Sequence, residues 1–192
     1  MNFQDTQLIG VLARAESTVS SLSDLLGGLV EKFAARGYSL YLVGGSVRDA
    51  LLGRLGNDLD FTTPARPDVV KEILDEWAET VWDTGIDFGT VSAAYKGQQI
   101  EITTFRSDSY DGQSRNPEVV YGDTLEGDLV RRDFKVNAMA IELLADASFT
   151  FHDPLHGLQD VADRVLDTPD KPEISFHDDP LRMPVSYTHL RA

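Results

Sequence analysis

The chain has 192 residues, a length that fits one full domain and part of another. Its net charge of −15, from 17 Lys and Arg against 32 Asp and Glu, argues against a nucleic-acid-binding surface, because phosphate neutralisation supplies most non-specific affinity. The absence of cysteine excludes disulfides and thiolate metal sites. No run approaches 18 apolar residues and no signal peptide is visible, so we expect a cytoplasmic protein with no membrane span.

The most informative stretch begins with residues 40–43, a short apolar run typical of a buried strand. Gly44 and Gly45 follow, and glycine lets the backbone adopt positive φ and lets a ligand approach closely. Ser46 and Asp49 match a capping box, which predicts that a helix starts at this point. The free N–H groups of that helix would suit an anion such as a phosphate.

Two aspartates come directly after this predicted helix. Leu59 and Phe61 alternate with Asp58 and Asp60, so both carboxylates are expected on one face of a strand. At that spacing they lie roughly 6–7 Å apart, close enough to share hard cations. The alternative is an acidic pair that merely flanks a turn.

Helical periodicity predicts helices over 18–35 and 67–81, with Trp77 in the core rather than on a base-stacking surface. Residues 91–95 and 100–105 are predicted to form a hairpin around a Lys-Gly turn. Glu101 in that hairpin either completes an acidic cluster with the two aspartates or is an ordinary solvent-facing glutamate.

Residues 107–128 are polar and are predicted to form a long surface loop. From Leu129 the pattern predicts a helix with Asp133 and Asn137 on one face. Arg131 and Arg132 would then lie near the helix start, where the dipole disfavours cations. They therefore need an anionic partner, either a triphosphate or neighbouring acidic side chains.

His152 and His156 flank an Asp, but a Pro and a Gly nearby predict a turn, so we interpret both as structural rather than zinc ligands. A short amphipathic helix is predicted over 158–165.

Four ordered blocks carry a family resemblance. They are GGSVRDALLGRLGNDLD at 44–60, EITTFR at 101–106, RRDFKVNAMA at 131–140 and DDPLRM at 178–183. Together they resemble the tRNA nucleotidyltransferases, the CCA-adding enzymes that share a family with bacterial poly(A) polymerases. The resemblance extends from about residue 25 to residue 183.

This resemblance implies an α+β fold of the polymerase-β type, with a mixed, mainly antiparallel sheet backed by helices. It implies a template-independent RNA nucleotidyltransferase that adds C and/or A from CTP and ATP to the 3′ end of tRNA. It assigns catalysis to Asp58, Asp60 and Glu101, with Asp58 and Asp60 also holding two Mg²⁺ ions. The nucleotide-binding residues that it implies are Gly44, Gly45, Arg48, Arg132, Asp133, Asn137, Asp179 and Arg182.

Asp179 and Arg182 match the family's base-reading motif. On a helix they would project together, offering an acceptor and a donor fork to the edge of cytosine or adenine. Pro184 is expected to break that helix, and residues from there onward do not resemble the family.

The predicted organisation is a partly helical N-terminal extension, a nucleotidyltransferase head, the start of a neck domain and an aberrant tail, over 1–24, 25–166, 167–183 and 184–192. We expect that the tRNA-holding domains of the family lie outside this chain and that its activity is impaired. Two alternatives are a poly(A) polymerase and a catalytically inactive nucleotide-binding head.

Overall fold

The computed structural model describes residues 3–109 and 118–184. The α-helices of these residues are Phe3–Ala35 (α1), Gly44–Leu51 (α2), Pro67–Asp75 (α3), Leu125–Val130 (α4), Gly157–Asp163 (α5) and Pro172–Asp178 (α6). The strands are Leu40–Val43 (β1), Asp58–Thr63 (β2), Thr80–Trp82 (β3), Thr90–Tyr95 (β4), Gln98–Thr104 (β5), Arg106–Ser109 (β6), Glu118–Tyr121 (β7), Ala140–Leu143 (β8) and Phe149–His152 (β9). Short 3₁₀ turns lie at Ile86–Phe88 and Lys135–Asn137.

The main sheet has the order β3-β4-β5-β2-β1-β8-β9. Strands β2 and β5 run parallel, and the other neighbours in this sheet pair antiparallel within the described residues. Strands β6 and β7 form a separate antiparallel hairpin. The predicted α+β fold with a mixed, mainly antiparallel sheet is confirmed.

The main core lies between one face of this sheet and helices α1, α2 and α3. Its sheet side is formed by the inward-facing residues Leu40, Leu42, Leu59, Phe61, Ile100 and Ile102. The opposite face carries a smaller cluster of Val43, Leu129, Ala138 and Ala140. Because side chains alternate along a strand, polar residues between the core positions are directed to this second face.

Helix α1 is longer than predicted, at 33 residues. Its buried stripe continues toward the N-terminus through Val11, Ala15 and Val19, at the spacing of four that keeps side chains on one face. The predicted boundary between residues 24 and 25 therefore falls inside a continuous helix.

Two further segment predictions were wrong in extent. Helix α3 ends at Asp75, and the predicted helix continues instead as a turn and strand β3. Trp77 lies in that turn and packs on Tyr95 with 4.0 Å between ring centroids, so its predicted core position is confirmed. The predicted loop over 107–128 contains parts of β6, β7 and α4, while residues 110–117 lie outside the described residues.

The local turn chemistry follows the prediction. Strands β4 and β5 form the expected hairpin, with positive φ at Lys96 and Gly97. The carboxylate of Asp153 accepts hydrogen bonds from the main-chain N–H groups of Gly157 and Leu158, which fixes the start of α5. Among the described residues, no helix has the length and apolar character needed to cross a bilayer.

Candidate active site

Three carboxylates lie on the face of the sheet away from the main core. Asp58 and Asp60 are exposed on β2, whereas Leu59 and Phe61 between and after them are buried, as the alternation predicted. In the parallel register of β2 and β5, Asp60 pairs with Glu101. These three residues form the carboxylate row, and the sequence predicted its members but not this register.

Ser46 fixes the start of α2 against the row. Its hydroxyl accepts a hydrogen bond from the main-chain N–H of Asp60 at 3.0 Å and donates to the carbonyl of Asp58 at 3.3 Å. The predicted capping box was wrong, because the helix begins at Gly44 with Val43 in the N-cap position and no side-chain cap. Ser46 therefore lies inside the first turn, where its hydroxyl bonds a neighbouring strand instead.

Gly44 lies at the helix start, where Arg132 and Asp60 both come close to its backbone. Its φ is +68°, and a Cβ atom at this position would lie 3.0 Å from Nη1 of Arg132 and 3.9 Å from Oδ2 of Asp60. A side chain here would displace the guanidinium, so the glycine is required both by its backbone conformation and by this close approach. At Gly45 a Cβ atom would lie 3.4 Å from Nη2 of Arg48.

The row concentrates negative charge at one point of the site. Desolvation raises the pKa of Asp60 first, and the neighbouring charges of Glu101 and Asp58 raise it further, while Arg132 opposes them. A bound cation would relieve this repulsion.

The row offers two aspartates to a metal ion rather than a closed cage. In the part of the chain that the structure describes, no three His, Cys, Asp or Glu side chains converge on one ion position. Glu101 instead accepts a hydrogen bond from Gln99 at 3.3 Å. Asp58 and Asp60 fit Mg²⁺ nevertheless, since this ion is usually held by one or two carboxylates with water and substrate phosphates.

Arg48 joins α2 to the segment after α4. Its Nη1 donates to Oδ1 of Asn137 at 2.7 Å, and its Nε and Nη2 donate to Asp49 at 3.0 Å. Asn137 in turn donates from Nδ2 to Oδ1 of Asp133 at 3.0 Å. These contacts bring three predicted nucleotide-binding residues into one hydrogen-bonded chain.

The helix predicted from Leu129 onward was wrong. Helix α4 ends at Val130, and Asn137 lies in a 3₁₀ turn before β8. Asp133 and Asn137 still contact each other, but through this turn rather than along a helix face.

Arg131 and Arg132 consequently lie at the end of a helix, not at its start. This is the end at which the dipole favours cations. Both guanidinium groups bond the buried carboxylate of Asp128, at 2.9 Å from Arg131 and 3.0 Å from Arg132. Of the two predicted anionic partners, neighbouring acidic side chains are therefore the one that the structure shows. Arg132 also lies close to Gly44.

Asp179 and Arg182 are neighbours but do not share a helix. Helix α6 ends at Asp178, Asp179 is extended, and a helical turn over residues 182–184 follows. Pro184 is the last residue that the structure describes, so the predicted break of the helix at this proline stays a prediction. Nε of Arg182 lies 3.9 Å from Asp179.

The guanidinium of Arg182 is hydrogen-bonded to other residues of the chain rather than left open for a base. Its Nη1 donates to Oγ of Ser175 at 2.6 Å, and its Nη2 donates to the carbonyl of Arg131 at 3.0 Å. This residue therefore links the segment after α6 to the site. Its predicted role in base reading would require a change in these contacts.

Two residues of the site escaped the sequence interpretation. Asp128 had a detectable signal, since it lies three and four residues before the two arginines that it bonds. The role of Ser46 had none, because its partners lie 12 and 14 residues away on a strand.

Residues 40–167 match the family described as the poly A polymerase head domain. The CCA-adding enzyme of Listeria monocytogenes serovar 1/2a is 40% identical over 156 residues, which are 81% of this chain and 38% of that protein. The CCA-adding enzyme of Lactobacillus helveticus is 43% identical over 148 residues, or 77% of this chain and 35% of that protein.

Solved structures of CCA-adding enzymes and a tRNA nucleotidyltransferase are also similar to this chain. The Bacillus stearothermophilus CCA-adding enzyme in complex with CTP superposes with a TM-score of 0.67 at 35% identity, covering 84% of this chain and 37% of that one. A tRNA nucleotidyltransferase complexed with a primer tRNA and an incoming ATP analog gives a TM-score of 0.64 at 30% identity, covering 85% and 42%.

This chain thus spans well under half the length of the relatives that it matches. The match covers the sheet, the carboxylate row and the segment with Arg132 and Asn137. The chain therefore belongs to the poly A polymerase head domain family.

Proposed function

We propose that this chain is the nucleotide-binding catalytic head of a template-independent RNA nucleotidyltransferase that adds C and/or A from CTP and ATP to the 3′ end of tRNA. The observation that carries the proposal is the register of β2 and β5, which sets Asp60 beside Glu101 at the glycine start of α2. The similarity to CCA-adding enzymes supports it. An enzyme that acts on tRNA would work in the cytoplasm.

In this reaction the 3′-hydroxyl oxygen of the RNA bonds to the α-phosphorus of the nucleotide. The bond from that phosphorus to the bridging oxygen breaks, pyrophosphate leaves, and the hydroxyl proton passes to solvent. Mg²⁺ held by Asp58 and Asp60 would supply charge stabilisation at the attacking and leaving oxygens.

The residues around the row would bind and orient the nucleotide. The start of α2 at Gly44 and the guanidinium of Arg132 lie close to Asp60, and a helix start beside an arginine suits a triphosphate. Arg48, held by Asp49 and Asn137, adds positive charge, and Asp133 and Asn137 would order the ribose.

Base selection would rest on Asp179 and Arg182. In the structure Arg182 is bonded to Ser175 and to the Arg131 carbonyl. Nucleotide binding would therefore have to exchange at least one of these contacts for a base edge.

The first test is binding of CTP and ATP to this chain by calorimetry, with and without Mg²⁺. Asp58→Ala and Asp60→Ala should abolish the Mg²⁺-dependent part of binding and leave the fold intact. If either variant unfolds, the aspartates are structural and the assignment is wrong. If the unaltered chain binds neither nucleotide, the proposal fails as a whole.

The second test measures transfer. Residues 1–183 would replace the corresponding part of a full-length CCA-adding relative, so that helix α1 stays whole and Asp179 and Arg182 are included. The chimera would be given labelled CTP and ATP with tRNA lacking its terminal CCA. Incorporation of both nucleotides supports the proposal, whereas long ATP-only tails would assign a poly(A) polymerase. No incorporation, with nucleotide binding retained, would assign an inactive head.

A further inference from the structure

Asp128 is a buried carboxylate that has no place in the predicted site. It lies in α4 with its side chain 0% exposed, and it bonds both arginines that follow the helix. Oδ1 accepts from Nε and Nη2 of Arg131 at 3.0 and 2.9 Å, and Oδ2 accepts from Nη2 of Arg132 at 3.0 Å. The main-chain N–H of Arg106 also points to Oδ1, at 3.4 Å.

Within the described part of the chain, the guanidinium of Arg132 is hydrogen-bonded through Nη2 alone, to Asp128. Its Nη1 lies above Gly44 beside Asp60, and its Nε is buried without a hydrogen-bond partner within the described residues. A buried unpaired donor is unfavourable, so Nε adds to the cost of this arrangement. Nη1 is the donor that lies against Gly44, where a ligand at the helix start would meet it.

We propose that Asp128 is a positioning residue for nucleotide binding, which holds Arg132 so that its Nη1 faces the phosphates of a nucleoside triphosphate at Gly44. This inference rests on the proposed function of the site. A guanidinium that is already hydrogen-bonded through one nitrogen loses less rotational freedom on ligand binding than a free one, because its planar fork is already oriented.

Asp128 is ionised in this environment. Burial alone would raise its pKa, but the charges of Arg132 and Arg131 and their hydrogen bonds outweigh burial and hold the pKa below its usual value. The carboxylate therefore keeps its negative charge through the neutral pH range.

Neutralising the Asp128 carboxylate should change triphosphate affinity in opposite directions, depending on whether its charge or its positioning of Arg132 matters more. Asp128→Asn removes one negative charge beside a phosphate site, so electrostatics alone would strengthen triphosphate binding. Loss of positioning would weaken it, by about tenfold, as expected when a charged hydrogen bond is lost. The sign of the change separates the two explanations.

The experiment measures the affinity of this chain for CTP and for inorganic triphosphate, both with Mg²⁺. The control is Glu76→Gln, which removes the same charge from another carboxylate that bonds two cations, Lys32 and Arg36. We expect about tenfold weaker binding for Asp128→Asn and no change for the control.

A double-mutant cycle with Arg132→Ala tests whether Asp128 acts through Arg132. In the Arg132→Ala background, Asp128→Asn should have no further effect on affinity. An equal loss in both backgrounds would show a general structural role and overturn the inference, as would unchanged or tighter binding by Asp128→Asn alone.

A second variant covers the case in which Asp128→Asn does not fold. Arg132→Lys keeps the positive charge, but a single ammonium cannot bond Asp128 and also present a fork to the ligand. Wild-type affinity in Arg132→Lys would therefore also overturn the inference. If the unaltered chain binds neither probe, the proposed function itself fails, which is distinct from normal binding that is insensitive to Asp128.

Discussion

Replacing Asp60 by Asn should stabilise the fold slightly while it removes Mg²⁺-dependent nucleotide binding. Asp60 faces Glu101 across the β2–β5 pair and lies near Asp58 on its own strand. Like charges directly opposite on neighbouring strands are destabilising, and side-chain pairs across antiparallel strands set the scale at roughly 0.2–1 kcal/mol. Because Arg132 offsets part of this repulsion and the Asp60 carboxylate, although partly desolvated, keeps contact with solvent, we expect a gain of about 0.5 kcal/mol.

The gain should depend on pH in a defined direction. The pKa of Asp60 is raised above 3.8 in the fold by desolvation, Glu101 and Asp58, so the folded state binds a proton more readily than the unfolded state. The ionised Asp60 therefore destabilises the fold by an amount that grows as pH rises above 3.8 and vanishes below this pH. The stability difference between Asp60→Asn and the unaltered chain should follow the same course.

Thermal unfolding followed by circular dichroism checks both effects. Without divalent ions at pH 7, Asp60→Asn should melt about 1–2 °C higher. With Mg²⁺ and CTP at about ten times the dissociation constant, the unaltered chain should gain about 1.4 kcal/mol and the variant nothing. Glu31→Gln, which removes one charge from the exposed side of α1, is the matched control. A lower melting temperature for Asp60→Asn would refute the reasoning.

Three further predictions concern the packing at Gly157, the arginines of the site and the activity of the whole chain. Gly157→Ala should destabilise by about 2 kcal/mol or more in urea unfolding, because the new Cβ would overlap the Lys135 carbonyl; a stability equal to wild type would contradict the packing. Arg48→Ala should weaken binding of all nucleoside triphosphates alike, since phosphate contacts carry no base information, whereas Arg182→Ala should change the preference among bases; equal effects of Arg182→Ala on CTP and UTP would exclude base reading by this chain. The 192-residue chain should extend tRNA lacking CCA poorly at low salt with excess Mg²⁺, because its −15 charge repels the RNA backbone; turnover within about tenfold of a full-length relative would show that the head suffices.

Local sequence patterns were sufficient to predict those parts of the fold that depend only on residues close together in the chain. Alternation along β2 placed Asp58 and Asp60 on one face, and the Lys96-Gly97 turn gave the β4–β5 hairpin. Both follow from the period of two along a strand and from turn residues that accept positive φ. The ordered blocks were sufficient to predict the family and its fold class.

Helix ends were predicted poorly where tertiary contacts decided them. The start of α2 shifted to Gly44 because Ser46 bonds the neighbouring strand rather than capping its own helix. The segment with Arg131 and Arg132 left the helix early, which reversed the expected relation of both arginines to the dipole. Periodicity alone did not place these boundaries.

The sequence by itself determined which chemistry-bearing residues the chain has and on which strand faces the aspartates lie. Only the tertiary structure decided which of them meet: Asp60 with Glu101 across a parallel pair, Arg48 with Asn137, and Arg182 with the Arg131 carbonyl. Those partners are 41, 89 and 51 residues apart. Local propensity extends over a turn or two of chain, whereas these contacts depend on strand register and packing, which the whole core sets.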